Sequence, residues 1–172
     1  MQHVRPACPE DANMLGAIHY RCWMETYAGL LDERILAARS ARKSADRFRS
    51  EGCRNMLVAL SGETAVGFCG FGPARAGQRD PSEGEIYGLY VLKEQQGRGM
   101  GSLLVQTALK KLQNEGFSSV FLWVLASNRK AVSFYERQGF MPDGEKTAVM
   151  LDIPVRELRF RMTLKNYPAI PV

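Results

Sequence analysis

Seven consecutive residues carry the most chemistry in this sequence: Gln96-Gly97-Arg98-Gly99-Met100-Gly101-Ser102. Glycine lets the backbone come close to a ligand and take conformations that a side chain forbids. A helix start adds N–H groups outside the helical ladder and the positive end of a dipole, so a glycine-rich segment opening a helix is an anion site. Arg98 places a cation in it. Hydrogen bonds to a charged acceptor contribute about 1.5–3 kcal/mol each, so several amides on one diphosphate would hold a cofactor at micromolar strength. Two familiar phosphate loops are excluded. A Walker loop requires G-x-x-x-x-G-K-[ST], and this segment has no lysine. A dinucleotide fingerprint requires G-x-G-x-x-G in the first βα turn and an acidic residue about 20 positions on. Here the pattern is G-x-G-x-G, it lies mid-chain, and an apolar strand follows. The bland alternative is a ligand-free turn, but three glycines at a helix start are costly unless something needs the room.

The elements around the loop are readable from periodicity. Glu85–Val91, rich in β-branched and aromatic residues, is expected to be the strand before it. After it, Leu104, Val105, Ala108, Leu109 and Leu112 mark one face of a helix, with Gln106, Lys110, Lys111 and Gln113 opposite. Gly116 ends that helix in a pattern that folds Phe117 back on Leu112. Val120–Leu125 is apolar without alternation, as in a strand covered on both faces, which makes a βαβ unit with parallel strands.

Upstream, a strand at His3–Ala7 precedes a helix opened by Pro9, with Glu10 and Asp11 at its positive end. That helix has an apolar stripe, Leu15, Ile18 and Cys22, and an aromatic one, Tyr20, Trp23 and Tyr27, with Gly29 as its stop. A second helix over Asp32–Glu51 is Arg-rich outside and apolar at Ile35, Leu36 and Phe48. Met56–Leu60 and Ala65–Phe71 pair around a Ser61-Gly62-Glu63 turn, and Gly72 to Gly84 forms a loop. Downstream come a short helix, Arg129–Gln138, and a final strand. The strand points Leu158, Phe160, Met162 and Leu164 inward and Arg159, Arg161, Thr163 and Lys165 outward, so it is antiparallel with one wet face. Asn166–Val172 reads as an extended tail.

With the glycine loop comes a second motif in register, Asn128…Ala131…Phe134-Tyr135-Glu136-x-x-Gly139-Phe140. Together they resemble the GNAT-type N-acetyltransferase superfamily over about Glu85–Phe140. The resemblance implies an α/β (α+β) fold: one mixed, mostly antiparallel sheet whose central parallel strands splay apart, with helices on both faces, in a single domain spanning 1–172. It implies acetyl-CoA as co-substrate and a primary amine as acceptor. It assigns the pyrophosphate to the amides of Gly97, Arg98, Gly99, Met100, Gly101 and Ser102, next to Gln96, and the pantetheine arm to the strand backbone at Leu89, Tyr90 and Val91. The Val91 amide would be the oxyanion donor. Asn128 would contact pantetheine or main chain, and Tyr135 would protonate the departing sulfur.

Acyl transfer from a thioester to an amine makes demands that these residues can be weighed against. A lysine-like amine, with a pKa near 10.4, must lose its proton, the developing oxyanion must be stabilised, and the thiolate must be protonated or solvated. A phenol with pKa near 10 is a reasonable acid toward a thiolate. Tyr135 lies two helical turns from Asn128, with small Ala131 between them. The alternative is structural: Tyr135 packs on Phe140 and Asn128 caps the helix, and both roles can coexist. Glu85 is the best carboxylate for the base, although a glutamate at a strand start is as readily solvated. Trp23 and Tyr27 are core residues or the wall of the acceptor pocket, where an aromatic surface would hold an aliphatic or cationic amine.

Composition narrows the classes further. A formal charge of +5 over 172 residues favours an anionic ligand. The densest basic stretch, Arg34 to Arg54, is broken by Asp46 and Glu51, which fits a solvated helix face better than a nucleic-acid surface. Four scattered cysteines and two histidines make poor material for a metal site, and reduced, buried thiols in a cytoplasmic protein are expected. No apolar run approaches the ~20 residues of a membrane span, and the start lacks a signal peptide's apolar core. The wet face of the final strand offers a surface for a homodimer. A non-catalytic acyl-CoA sensor of the same fold is the competing class.

Overall fold

The first turns of the chain are set by one carboxylate. In the computed structural model, which describes residues 2–75, 80–150, 152–165 and 167–168, strand β1 (Gln2–Pro6) leads through a 3-10 turn at Pro9–Asp11 into helix α1 (Ala12–Tyr27). Asp11 accepts from the Cys8 N–H at 2.9 Å and pairs with Arg5 at 2.7 Å, which satisfies an N-terminal donor and fixes the entry of the helix. There follow α2 (Glu33–Ala37), α3 (Ala41–Ser50), β2 (Met56–Ser61), β3 (Thr64–Pro73), β4 (Glu83–Val91), α4 (Met100–Asn114), β5 (Ser119–Leu125), α5 (Arg129–Arg137), β6 (Met141–Met150) and β7 (Ile153–Thr163).

The strands form one mixed sheet in the order β1-β2-β3-β4-β5-β7-β6. β4 and β5 are parallel, while the pairs β1–β2, β2–β3, β5–β7 and β6–β7 are antiparallel. The parallel register runs from Glu83↔Ser119 to Ile86↔Leu122 and stops there, although β4 continues to Val91 and β5 to Leu125. This is the expected mixed sheet with its parallel central pair.

Packing divides the chain into two compact units, Met1–Gly70 with Leu89–Val105, and Phe71–Gly88 with Gln106–Val172. In the first, Leu15, Ile18 and Cys22 of α1 and Phe48 of α3 bury against Val58 and Leu60 of β2 and Phe68 of β3. Each such large apolar side chain contributes roughly 1.5–3 kcal/mol. Gly16 lets α1 and α3 touch: a Cβ there would lie 2.6 Å from the Ala41 carbonyl oxygen. In the second unit, Val120, Phe121 and Leu122 of β5, Phe160 of β7 and Leu112 of α4 are buried. The end of α4 closes with the Phe117 N–H on the Leu112 carbonyl at 3.1 Å, the expected stop.

Three expectations need correction, and one strand was not expected. The helix over Asp32–Glu51 is two helices, because Ser40 caps a new start by accepting from the Lys43 N–H. Tyr20 leaves the aromatic stripe and is exposed. β6 had no expectation at all: it carries Pro142 and Gly144, is largely exposed, and forms the sheet edge. The final strand is therefore interior to the sheet, and its alternation holds: Phe160 and Leu164 are buried while Arg161, Thr163 and Lys165 are exposed. On that outward face Arg159 and Arg161 both reach the buried Glu83, at 2.7 Å each. The Gly72–Gly84 loop is shorter than expected, since β3 runs to Pro73 and β4 starts at Glu83. Positions 76–79 of that loop, and Asn166 and 169–172 of the expected tail, lie outside the described residues.

Candidate active site

The glycine loop and the start of its helix, as far as Val105, belong to the first unit. A 3-10 turn at Lys93–Gln95 carries the chain from the end of β4, and Gln96 then reaches back, its side-chain amide donating to the Val91 carbonyl at 3.0 Å. Gly97 and Gly99 have φ of +73° and +86°, and a Cβ at either would meet nothing within 4 Å. Backbone conformation, rather than crowding by the protein, is what requires glycine there, and the space above both is open. The helical ladder of α4 begins with the Leu103 N–H on the Gly99 carbonyl at 3.0 Å, so the amides of Gly97 to Gly101 precede it. Buried Met100 anchors the helix start, and Arg98 is exposed. An open glycine cradle at a helix N-terminus fits a diphosphate.

Trp23, Tyr27 and Tyr90 come together in the same unit. The Trp23 and Tyr27 rings lie 4.5 Å apart, and the Trp23 indole N–H donates to the Tyr90 hydroxyl at 3.4 Å. Tyr90 stacks on Phe68 at 4.9 Å and meets His19 edge-on at 4.7 Å. His19 is buried with Nδ1 2.8 Å from the Ser44 hydroxyl. Burial, reinforced by the Arg47 and Arg39 cations, lowers its pKa to about 4, so it is neutral at pH 7. Sequence reasoning missed His19, although its i,i+4 relation to Trp23 was a usable signal.

The second unit holds Glu85, Asn128 and Tyr135. Glu85 is 2% exposed and bound by Arg75 through the main-chain N–H at 3.0 Å, through Nε at 3.0 Å and through a close Nη2 contact. Nothing in the spacing marked Arg75, which stands ten positions before Glu85 in a Gly/Pro/Arg-rich stretch. Asn128 is buried and caps α5, its side-chain oxygen accepting from the Ala131 N–H at 3.2 Å. Tyr135 is buried with its ring edge-on to Phe140 at 5.8 Å. Both structural roles weighed for these two residues are therefore present, and neither excludes a contact with a ligand. The Cys69 thiol is fully buried and pushed up to about 12 by that burial, and Cys22 likewise, which makes both poor nucleophiles. Cys8 is part-exposed, against the expectation of buried thiols.

Comparison with known proteins adds relatives. Residues 14–140 match the Acetyltransferase (GNAT) family. The N-acetyltransferase YuaI of Bacillus subtilis, itself uncharacterized, is 32% identical over 144 residues, covering 83% of this chain and 81% of that protein. A mycothiol acetyltransferase of Paenarthrobacter aurescens is 36% identical over 104 residues, which is 59% of this chain but 31% of the relative. Among solved structures, the PaiA N-acetyltransferase of Thermoplasma acidophilum, in complex with coenzyme A, superposes with a TM-score of 0.77 at 22% identity, covering 95% of this chain and 99% of that one.

Proposed function

The chain belongs to the GNAT acetyltransferase family, and from that premise we propose how its residues share the work of an acetyl-CoA-dependent N-acetyltransferase. Acetyl-CoA supplies the thioester, whose acyl C–S bond breaks as the acceptor N–C bond forms. One proton leaves the amine and one reaches the sulfur.

The observation that carries the reading is the loop Gly97–Gly101, open above its glycines and entering α4 ahead of the helical ladder. Its amides, continuing to Ser102, take the diphosphate, and Arg98 adds charge. Gln96 holds the loop to the strand end by its bond to Val91. The backbone of Leu89, Tyr90 and Val91 pairs with the pantetheine arm, and the Val91 amide donates to the carbonyl oxygen as it gains charge. The side-chain oxygen of Asn128 is engaged in its cap, so contact with the arm falls to its NH₂. Tyr135 protonates the sulfur. Glu85 orients the water that carries off the amine proton. The N–H groups of Arg75 fix the position of its carboxylate. Trp23 and Tyr27 wall the acceptor site. The chain is one N-acetyltransferase domain over 1–172, whose acceptor is a primary amine.

Tyr135→Phe tests the chemistry, because phenylalanine keeps the packing against Phe140. Turnover in a thiol-release assay is expected to fall about 10²-fold or more, with acetyl-CoA affinity by calorimetry near wild type. Unchanged turnover would remove Tyr135 from the mechanism.

A further inference from the structure

Arg39, between α2 and α3, has an unusual environment. Its backbone is held by the N–H bond to the Leu36 carbonyl at 3.0 Å, and its guanidinium carbon lies 3.9 Å from the centre of the Trp23 ring. Arg34, Arg42 and Arg49 each pair with an aspartate. Arg39 pairs with no carboxylate among the described residues, and its Nε is a buried donor with no hydrogen-bond partner. Native proteins rarely leave such a donor uncompensated. Stacking uses the face of a guanidinium and leaves its edge, a planar fork matched to a carboxylate.

The surroundings point the same way. The floor is aromatic: Trp23 against Tyr27, with the Trp23 N–H on the Tyr90 hydroxyl. Leu30, in the connection from α1 to α2, is exposed. The local field is positive, since Arg47 and Arg39 both disfavour protonation of His19. A cation here repels an ammonium and favours the neutral form of an amine held beside it.

We propose that Arg39 anchors a carboxylate of the acceptor, so that the substrate is a small primary amine carrying a carboxylate and an apolar side chain, rather than a polyamine. This rests on the reading of Trp23 and Tyr27 as the acceptor wall. Arg39 is a specificity residue: it holds the far end of the acceptor and takes no part in proton transfer.

The test uses matched pairs, phenylalanine with phenethylamine and leucine with 3-methylbutylamine, together with spermidine, in a thiol-release assay with the full-length enzyme. Wild type is expected to prefer the carboxylate-bearing member of each pair by at least about 10-fold in kcat/KM. In Arg39→Gln that preference should fall about 10–100-fold, the usual worth of a charged bidentate contact. Arg39→Lys, which keeps the charge without the fork, should retain part of it. Trp23→Leu should weaken both members alike. Preference for spermidine, a ratio unmoved by Arg39→Gln, or a loss confined to acetyl-CoA affinity overturns the assignment. If Trp23→Leu weakens every acceptor while the Arg39→Gln ratio stays at the wild-type value, the carboxylate anchor fails and the wall stands. If Trp23→Leu changes no acceptor, the wall fails and the anchor with it. Calorimetry with 3-phenylpropanoate and 4-methylpentanoate gives a readout independent of turnover. Binding to wild type that is lost in Arg39→Gln supports the anchor, and binding to neither refutes it.

Discussion

Gly67→Ala addresses the strand proposed to hold the pantetheine arm. Gly67 lies on β3 facing the main chain of β4, and a Cβ there would stand 2.6 Å from the Tyr90 carbonyl oxygen, 3.1 Å from Val91 Cγ2 and 3.2 Å from Val91 Cα. Two of those atoms are backbone, so no rotamer change relieves the clash. Ordinary contact begins at 3.4 Å, which requires β4 to withdraw by about 0.8 Å unless neighbouring bonds give first. The Leu92 N–H to Val66 carbonyl bond, 3.0 Å, resists that withdrawal. One overpacked methyl costs about 1–3 kcal/mol, and alanine recovers roughly 0.5–1 kcal/mol over glycine in a strand. The net loss is about 0–2.5 kcal/mol, or a Tm lower by up to roughly 10 °C for a chain of this size. If the Leu89–Val91 backbone binds the arm, one or two hydrogen bonds at about 0.5–1.5 kcal/mol each are also strained, and CoA should bind about 10-fold more weakly. Urea unfolding and CoA calorimetry on the same preparation separate the two effects. Gly62→Ala is the control. It sits in the hairpin turn at φ +63° with nothing within 4 Å, so it should lose stability without losing CoA. Wild-type CoA affinity in a destabilised Gly67→Ala would refute the strand's role in binding.

Two further perturbations test the charge arrangement. Glu83→Gln removes the anion that Arg159 and Arg161 share at 2.7 Å each. Breaking a buried pair costs about 3–5 kcal/mol, and because the Arg161 side chain is 42% exposed a loss of about 1–3 kcal/mol in urea unfolding is expected. A variant as stable as wild type would mean that the cluster contributes nothing net. His19, whose folded pKa of about 4 lies below the ordinary 6.5, makes a stability contribution present above pH 6.5 and lost as pH falls toward 4, because the unfolded chain takes up the proton first. His19→Gln should flatten the stability profile in that window, and an unchanged slope would show that another group titrates there.

The fold was readable wherever one physical signal acted alone. The 3.6-residue spacing from Leu104 to Leu112 and the unbroken apolar run from Val120 to Leu125 each depend on burial of one element, and both elements form as expected. Less was readable where a long-range partner was involved. Alternation gave the direction of Arg159 and Arg161 but not their shared partner Glu83, 76 and 78 positions away. β6 escaped detection because Pro142, Gly144 and a run of charged residues suit an exposed edge strand, whose register comes from β7 rather than from its own burial.

The candidate site divides along the same line. The glycine loop is legible because its conformation is local: φ at Gly97 and Gly99 and the start of a helix follow from a few adjacent residues. The placement of Asn128 and Tyr135 was legible for a similar reason, since a cap and a residue two turns later are defined by one short helix. The partners that modify chemistry are not local. Arg75 converts Glu85 from a solvated strand-end carboxylate into a buried, ion-paired one, and Arg39 reaches Trp23 from the turn between two helices that the sequence reads as one. Both arginines act across loops, where neither period nor propensity constrains the neighbour. On the reading proposed here recognition of the acceptor rests on such contacts, so the reaction class can be read from a local motif while substrate choice requires the folded chain.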